Sequence, residues 1–116
     1  MKKNIDRNFI YKLLKQVPKG RVTTYKALAK ASGNPKGSRA VGAIMRTNPY
    51  APVVPCHRVV YSDSGLGGFS GLKRLDEKVK ILKEEGVIVK DGKIEDFSEI
   101  FFDDFSSEKT KNETLP

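Results

Sequence analysis

The sequence predicts a mainly α-helical domain with a small β element, and three observations carry that expectation. Short stretches with apolar residues at helical spacing recur between strong breakers; a Pro-rich segment interrupts them; and an Asp-Gly pair follows a Val-Ile-Val run near residue 90. At 116 residues one domain is expected. With 38% apolar residues the chain can bury a modest core, which argues against a disordered polypeptide.

Residues 6–17 set Phe9, Ile10, Leu13, Leu14 and Val17 on one helical face, with Asp6 as the N-cap and Pro18 and Gly20 as the stop. Thr23 or Thr24 caps a second short helix, Tyr25 to Ala31, whose Ala27, Leu28 and Ala31 face inward. The breakers Ser32 to Lys36 form a turn, and Ser38 opens a third helix that runs through Arg46 and stops near Asn48-Pro49. Two short helices joined by a tight Gly-containing turn follow a helix-turn-helix pattern. Gly37 and Ser38, with Arg39 next, would let the helix N-terminus approach a sugar-phosphate wall closely. The Ala- and Gly-rich helix body also suits simple tight helix packing.

Pro49, Pro52 and Pro55 are expected to hold residues 50–60 extended, as an apolar crossing segment that delivers Cys56-His57-Arg58. Residues 61–71, with four glycines and three serines, form a loop able to bring backbone amides close to a ligand. Residues 72–85 read as an amphipathic helix with Leu72, Leu75, Val79 and Leu82 inward and Gly86 as C-cap. Val87 to Ile94 reads as a hairpin with an Asp-Gly turn, the wing of a winged helix-turn-helix-like DNA-binding domain. Residues 97–105 dock on the domain, so residues 1–105 form the unit and 106–116 a polar, disordered tail.

Charge is unevenly distributed. Residues 1–90 hold 19 Lys+Arg and 6 Asp+Glu, a balance of +13, whereas residues 91–116 hold 3 and 8, a balance of −5. A domain this basic attracts polyanions, of which nucleic acid is the commonest in a cell, although a Lys-rich solvated surface produces the same count. No run approaches the roughly 18 apolar residues of a membrane span, and the opening MKKNIDRNF lacks the apolar stretch of a signal peptide. The lone Cys forms no internal disulfide, and no Cys/His zinc cluster is present in the sequence. The expectation is a cytoplasmic monomer, nuclear in a eukaryote, with no membrane partner.

Cys56 and His57 are the only residues of their types and they are adjacent, with Arg58 beside them and Pro55 restraining the backbone. A lone Cys is most often a buried small hydrophobe. Positive neighbours, however, favour the thiolate that acts as nucleophile. In an extended chain neighbours point to opposite faces, so adjacency alone does not bring the imidazole to the thiol, and a water would relay the proton.

Pro55-Cys56-His57-Arg58-Val59, preceded by Arg39-Ala40-Val41-Gly42, Met45-Arg46 and Asn48-Pro49, strongly resembles the O6-alkylguanine-DNA alkyltransferase family, from about Phe9 to Gly86. The chain looks like that family's DNA-binding, active-site domain standing alone. The resemblance implies duplex DNA containing O6-alkylguanine as partner, bound through the minor groove, and stoichiometric transfer of the alkyl group to Cys56, with O4-alkylthymine as a further candidate substrate. It implies that Arg39 enters the stack in place of a flipped base. Gly37, Ser38 and Arg46 would face the DNA, and Tyr25 would help rotate the target phosphate near the base. His57 would act through a water as base toward the thiol, oriented by Glu85, and Asn48 would hinge the recognition helix to the active-site segment. Val59, Arg58, Phe69 and the loop at Ser70 would surround the substrate. No cofactor or metal is implied.

Phe69 stands where the family has Tyr, and the stretch from Ser70 to Gly86 is about two residues longer than in relatives, which bears on the matches of Ser70 and Glu85. Three other readings compete. Alkyltransferase-like lesion sensors share the fold but have no cysteine at the reactive position, which Cys56 opposes. A winged-helix regulator would select a DNA sequence rather than a lesion. A Cys–His hydrolase ranks last, since it needs turnover, an orienting Asn or Asp and a larger scaffold.

Overall fold

The computed structural model describes residues 6–51, 53–66 and 72–116, and for residues 72–75 the backbone alone. In chain order the elements are α1 (Arg7–Leu14), β1 (Thr23–Thr24), α2 (Tyr25–Ala31), α3 (Ser38–Arg46), a 3-10 turn (Cys56–Arg58), β2 (Val59–Val60), α4 (Leu72–Glu84), β3 (Val89–Lys90), β4 (Lys93–Ile94), α5 (Phe97–Ile100) and α6 (Ser107–Thr110). The mainly helical fold with a small β element is that expected from the sequence. Asp6 caps α1 by accepting from the amides of Asn8 and Phe9, and Thr24 caps α2 through the amide of Ala27. The wing turn places Asp91 and Gly92 at φ 53° and 74°, the left-handed pair that a two-residue hairpin needs.

Two apolar clusters support these elements. The larger gathers Ile10, Leu13, Leu14, Val17, Leu28, Val41, Ile44 and Val54, and includes Tyr11, whose hydroxyl donates to the Ile44 carbonyl. The smaller joins Val22, Val60, Leu82, Val87 and Ile94 beneath the wing. On α2 the buried residues are Tyr25, Leu28 and Ala29, while Ala27 and Ala31 lie half-buried. The inward face is therefore rotated from the one the Ala27/Leu28/Ala31 spacing suggested, because packing against α3 selects the face on a helix of only two turns. On α4 Leu82 is buried and Val79 half-buried; the side chains of Leu72 and Leu75 lie outside the described residues.

β1 and β2 pair in parallel, Thr23 with Val59 and Thr24 with Val60. All four are nearly inaccessible to solvent. This short ladder ties the start of α2 to the segment after the Cys-His pair. The acidic end of the chain packs on the other edge of β1, where the Phe102 amide donates to the Val22 carbonyl. Residues 106–116, expected from their polarity to be a disordered tail, instead carry α6. Thr110 is buried there, Lys15 pairs with Glu113 at 3.1 Å, and Gln16 exchanges two hydrogen bonds with the Ser106 backbone. Polar composition concealed those anchors, because they are hydrogen bonds and an ion pair, to which Leu115 adds packing against the larger apolar cluster. No helix among the described residues is long and apolar enough to cross a membrane.

Candidate active site

The segment around Cys56 is not extended. Residues 56–58 close a 3-10 turn in which the Cys56 amide donates to the Val54 carbonyl (2.8 Å) and the Arg58 amide to the Pro55 carbonyl (2.9 Å). Proline favours φ near −65° but does not dictate an extended strand. At Pro55 (φ −82°, ψ 69°) the chain bends before entering β2. Strand alternation therefore does not apply, and both Cys56 and His57 turn inward, 6% and 4% exposed.

Behind them, Glu85 at the end of α4 receives two neighbours. His57 Nε2 lies 3.0 Å from its Oε2, and Arg58 makes a bidentate pair, Nε to Oε1 at 3.0 Å and Nη2 to Oε2 at 2.7 Å. The remaining guanidinium nitrogen donates to the Val17 carbonyl at 2.8 Å. Glu85 is brought here by a close approach. At Gly20 (φ +87°) a Cβ would stand 3.3 Å from the Glu85 carbonyl oxygen, so glycine serves both the left-handed backbone and the contact. Burial opposes ionisation of Glu85, but hydrogen bonds from Arg58 and His57 outweigh it and hold the carboxyl below its ordinary range. Burial, partly offset by Glu85, pushes the His57 pKa down. An ionised Glu85 places the imidazole proton on Nε2 and leaves Nδ1 as the basic nitrogen of a neutral ring.

Lys78 was not singled out from the sequence. Its side chain is buried, and Nζ donates to the Val59 carbonyl at 2.6 Å and the Leu66 carbonyl at 2.7 Å. It also stands 5.9 Å from the centroid of the Tyr25 ring. Burial lowers its pKa to about 7, with Cys56 nearby acting in the opposite sense. The available signal was position: Lys78 falls three residues after Leu75 and four before Leu82, within the apolar stripe of α4.

Tyr25, the first residue of α2, is buried and lies within electrostatic reach of the Cys56 sulfur. Burial, reinforced by Tyr61 and Cys56 and opposed by Arg46, pushes its pKa up, so the phenol keeps its proton. Asn48 follows α3 and binds back to the next segment: Nδ2 donates to the Val54 carbonyl (2.8 Å), and Oδ1 accepts from the Tyr50 amide (2.9 Å). This bridges α3 to the Cys56 turn. Val59 is fully buried, its amide donating to the Cys56 carbonyl and its carbonyl accepting from Lys78. Arg58 is directed to Glu85 and Val17 and is only 16% exposed, a supporting arrangement rather than an open substrate contact. Phe69 and Ser70 lie outside the described residues.

An open cavity of about 350 Å³ faces α3, lined by Tyr25, Ser38, Arg39, Gly42, Arg46 and Tyr61. Gly37 sits at the α3 N-cap, and Arg39 and Arg46 are exposed. The structure thus gathers Tyr25, Ser38, Arg39 and Arg46 on one cavity, and His57, Arg58 and Glu85 in one hydrogen-bonded cluster at the turn that carries Cys56. Among the described residues no group of three or more His, Cys, Asp or Glu is arranged to hold a metal ion.

The arrangement is that of a winged helix-turn-helix DNA-binding domain, with a buried thiol followed in the chain by an imidazole paired to a carboxylate. The chain belongs to the family of 6-O-methylguanine DNA methyltransferases, whose DNA binding domain matches residues 7–87. It is 48% identical over 80 residues to the methylated-DNA–protein-cysteine methyltransferase of Homo sapiens, covering 69% of this chain and 38% of that protein. It is 39% identical over 100 residues to a bifunctional methyltransferase/endonuclease of Picrophilus torridus, covering 86% of this chain and 33% of that one. The chain therefore spans little more than a third of the length of these curated relatives. Among solved structures, S. pombe Atl1 in complex with damaged DNA containing O6-carboxymethylguanine superposes with a TM-score of 0.75 at 25% identity, covering 86% of this chain and 98% of that one.

Proposed function

We propose that the chain repairs DNA by moving the alkyl group of O6-alkylguanine onto the Cys56 sulfur, once per molecule. The observation that carries this is the His57–Glu85–Arg58 cluster, built on the same 3-10 turn as Cys56, in a domain of this family. His57 Nδ1 takes the thiol proton through a water. The sulfur attacks the saturated carbon, the S–C bond forms, the C–O6 bond breaks, and guanine leaves with the electron pair on O6. The Tyr25 hydroxyl, held protonated, supplies a proton donor toward the departing base. Arg39 at the exposed start of α3 fills the stack when the base is extruded, and Gly37, Ser38 and Arg46 lie against the backbone. Asn48 holds the recognition helix to the reactive turn, Val59 borders the base, and Arg58 supports Glu85 from behind. The reaction needs no cofactor.

A second reading, a lesion sensor that binds without transfer, is favoured by one observation: Cys56 is only 6% exposed and does not line the cavity. Peptide mass spectrometry after incubation with duplex DNA carrying one O6-methylguanine decides between them. A gain of one methyl on the peptide containing Cys56, stopping at one equivalent, is expected. Lesion-selective binding without that gain would establish the sensor, and binding without lesion preference a winged-helix regulator.

A further inference from the structure

The parallel ladder between β1 and β2 ends with Thr24 opposite Val60. The next residue on each strand is a tyrosine, so Tyr25 and Tyr61 leave the ladder side by side at about the 4.8 Å spacing of neighbouring strands. Their rings meet at 5.3 Å between centroids and 51° between planes, and both line the cavity in front of α3. They differ in access. Tyr25 is buried, whereas Tyr61 is 50% exposed, one of the large hydrophobic side chains left open to solvent.

The exposed ring is held on a fixed backbone. The Tyr61 amide donates to the Gly65 carbonyl (2.8 Å) and its carbonyl accepts from Ser64 (3.0 Å), closing a tight turn. Asp63 Oδ1 accepts from the Gly65 amide, and the turn is tied to the wing through Ile94 to Ser64 (2.9 Å) and Leu66 to Gly92 (3.2 Å). Across the cavity stand the exposed Arg39 and Arg46. A rigid, half-exposed aromatic face beside arginines is the arrangement that single-stranded nucleic acid binds by stacking, and it tolerates any base because every base has a π-face. A paired base inside a duplex already has both faces covered by its neighbours and offers nothing to stack on.

We infer that Tyr61 is a stacking platform for the extruded base, holding it in the cavity beside Tyr25. This rests on the proposed base extrusion and adds to it a residue that discriminates the extruded from the paired base. The cavity volume of about 350 Å³ is at the small end of the range of about 300–1,000 Å³ for ligand pockets, which suits one base rather than a run of nucleotides.

The test compares the parent with Tyr61→Ala, Tyr61→Leu and Tyr61→Phe. Two quantities are measured: affinity for duplex with one O6-methylguanine relative to undamaged duplex of the same sequence, and the single-turnover rate of methyl appearance on Cys56. Stacking contributes roughly a fivefold to hundredfold effect per base. Tyr61→Ala and Tyr61→Leu should both lose tenfold or more in lesion preference with undamaged-duplex binding unchanged, and Tyr61→Phe should restore the parent value. Leucine refills the space beside Tyr25 without a flat face, so a purely structural role would be rescued by it, and melting temperature confirms that each variant is folded. Lesion preference within twofold of the parent in Tyr61→Ala, or full rescue by leucine, overturns the inference. Absence of methyl transfer in the parent refutes the transferase reading alone, since the preference ratio still decides the role of Tyr61.

Discussion

Replacing Glu85 separates what holds the site together from what drives it. Its carboxylate receives two hydrogen bonds from Arg58 and one from His57, all between side chains no more than 16% exposed. Removing one partner of a buried pair leaves the other charge uncompensated, at a cost of about 3–5 kcal/mol. Glu85→Ala should lower the melting temperature by roughly 10 °C or more in a domain of this size. Glu85→Gln retains an acceptor of the same shape. Because charge-assisted hydrogen bonds are roughly twice as strong as neutral ones, it should lose about half as much.

Transfer should respond differently. Without the carboxylate, the imidazole loses the group that fixes its proton on Nε2 and stabilises the cation formed when it takes the thiol proton. General-base assistance contributes roughly 10²–10⁴ in rate, so Glu85→Gln should be slower by at least two orders of magnitude while still folded. The deciding assay is a double-mutant cycle on single-turnover methyl transfer, with His57→Ala as the second change. If Glu85 acts through His57, the double variant transfers no more slowly than His57→Ala alone. Additive losses would refute that coupling, and a Glu85→Ala melting temperature within about 2 °C of the parent would refute the stability argument.

Acidification should destabilise the fold. The His57 pKa is lowered in the folded state, so below its ordinary 6.5 the unfolded chain takes up the proton first and stability falls with pH; Glu85, also lowered, adds a second loss below about 4.5. Melting temperatures measured from pH 7 to 4 check this, and His57→Phe should remove the earlier loss. Lys78 acts on the alkaline side. With its pKa near 7 rather than 10.5, the folded chain binds fewer protons than the unfolded one across that window, so stability should rise from pH 7 toward 10 and stay flat in Lys78→Met. Lys78→Met also strips hydrogen bonds from the Val59 and Leu66 carbonyls, for an expected loss of about 1–3 kcal/mol in denaturant titration at pH 9. Arg39→Ala should slow methyl transfer from duplex DNA at least tenfold and leave transfer from the free O6-alkylated base within twofold of the parent, since Arg39 is exposed at the start of α3 and on the proposed reading acts on DNA rather than on Cys56.

Local chemistry made much of this fold legible. Asp6 and Thr24 read as caps because their side chains bond the next turn of their own helix, and Asp91-Gly92 read as a hairpin turn because few residues accept φ above zero. The Cys-His pair was legible from its uniqueness, and Glu85 from its place before Gly86 in a known pattern. What escaped depends on contacts between distant residues. The 3-10 turn at 56–58 follows from how β2 must leave the Cys56 segment to pair with β1, and three prolines carry no record of it. Lys78 looked like one more lysine on a charged helix, because the carbonyls that it serves belong to residues 12 and 19 positions away. Tyr61 carried no signal, since its neighbour Tyr25 lies 36 positions earlier in the chain.

Those omissions meet at the β1–β2 pair. A ladder of two residues contributes little hydrogen-bond energy, yet a one-residue slip would turn Thr23, Thr24, Val59 and Val60 to opposite faces. Cys56 through Arg58 would then be displaced along the strand relative to Glu85, and Tyr61 relative to Tyr25. The register is held from outside the ladder: the Val22 and Val60 side chains pack into one cluster and the Val59 side chain into the other, while Lys78 clamps the Val59 carbonyl to that of Leu66. A buried lysine with two carbonyl acceptors costs more to desolvate than an apolar residue of the same volume. What it adds is direction, because the two carbonyls come within its reach together when β2 and the 61–66 turn sit in this register. The same two acceptors explain why a charged group persists in the apolar stripe of α4. Lys78 thus joins the end of the Cys56 turn, the 61–66 turn and the Tyr25 ring to a single helix, so that the two sides of the candidate site are held by one side chain.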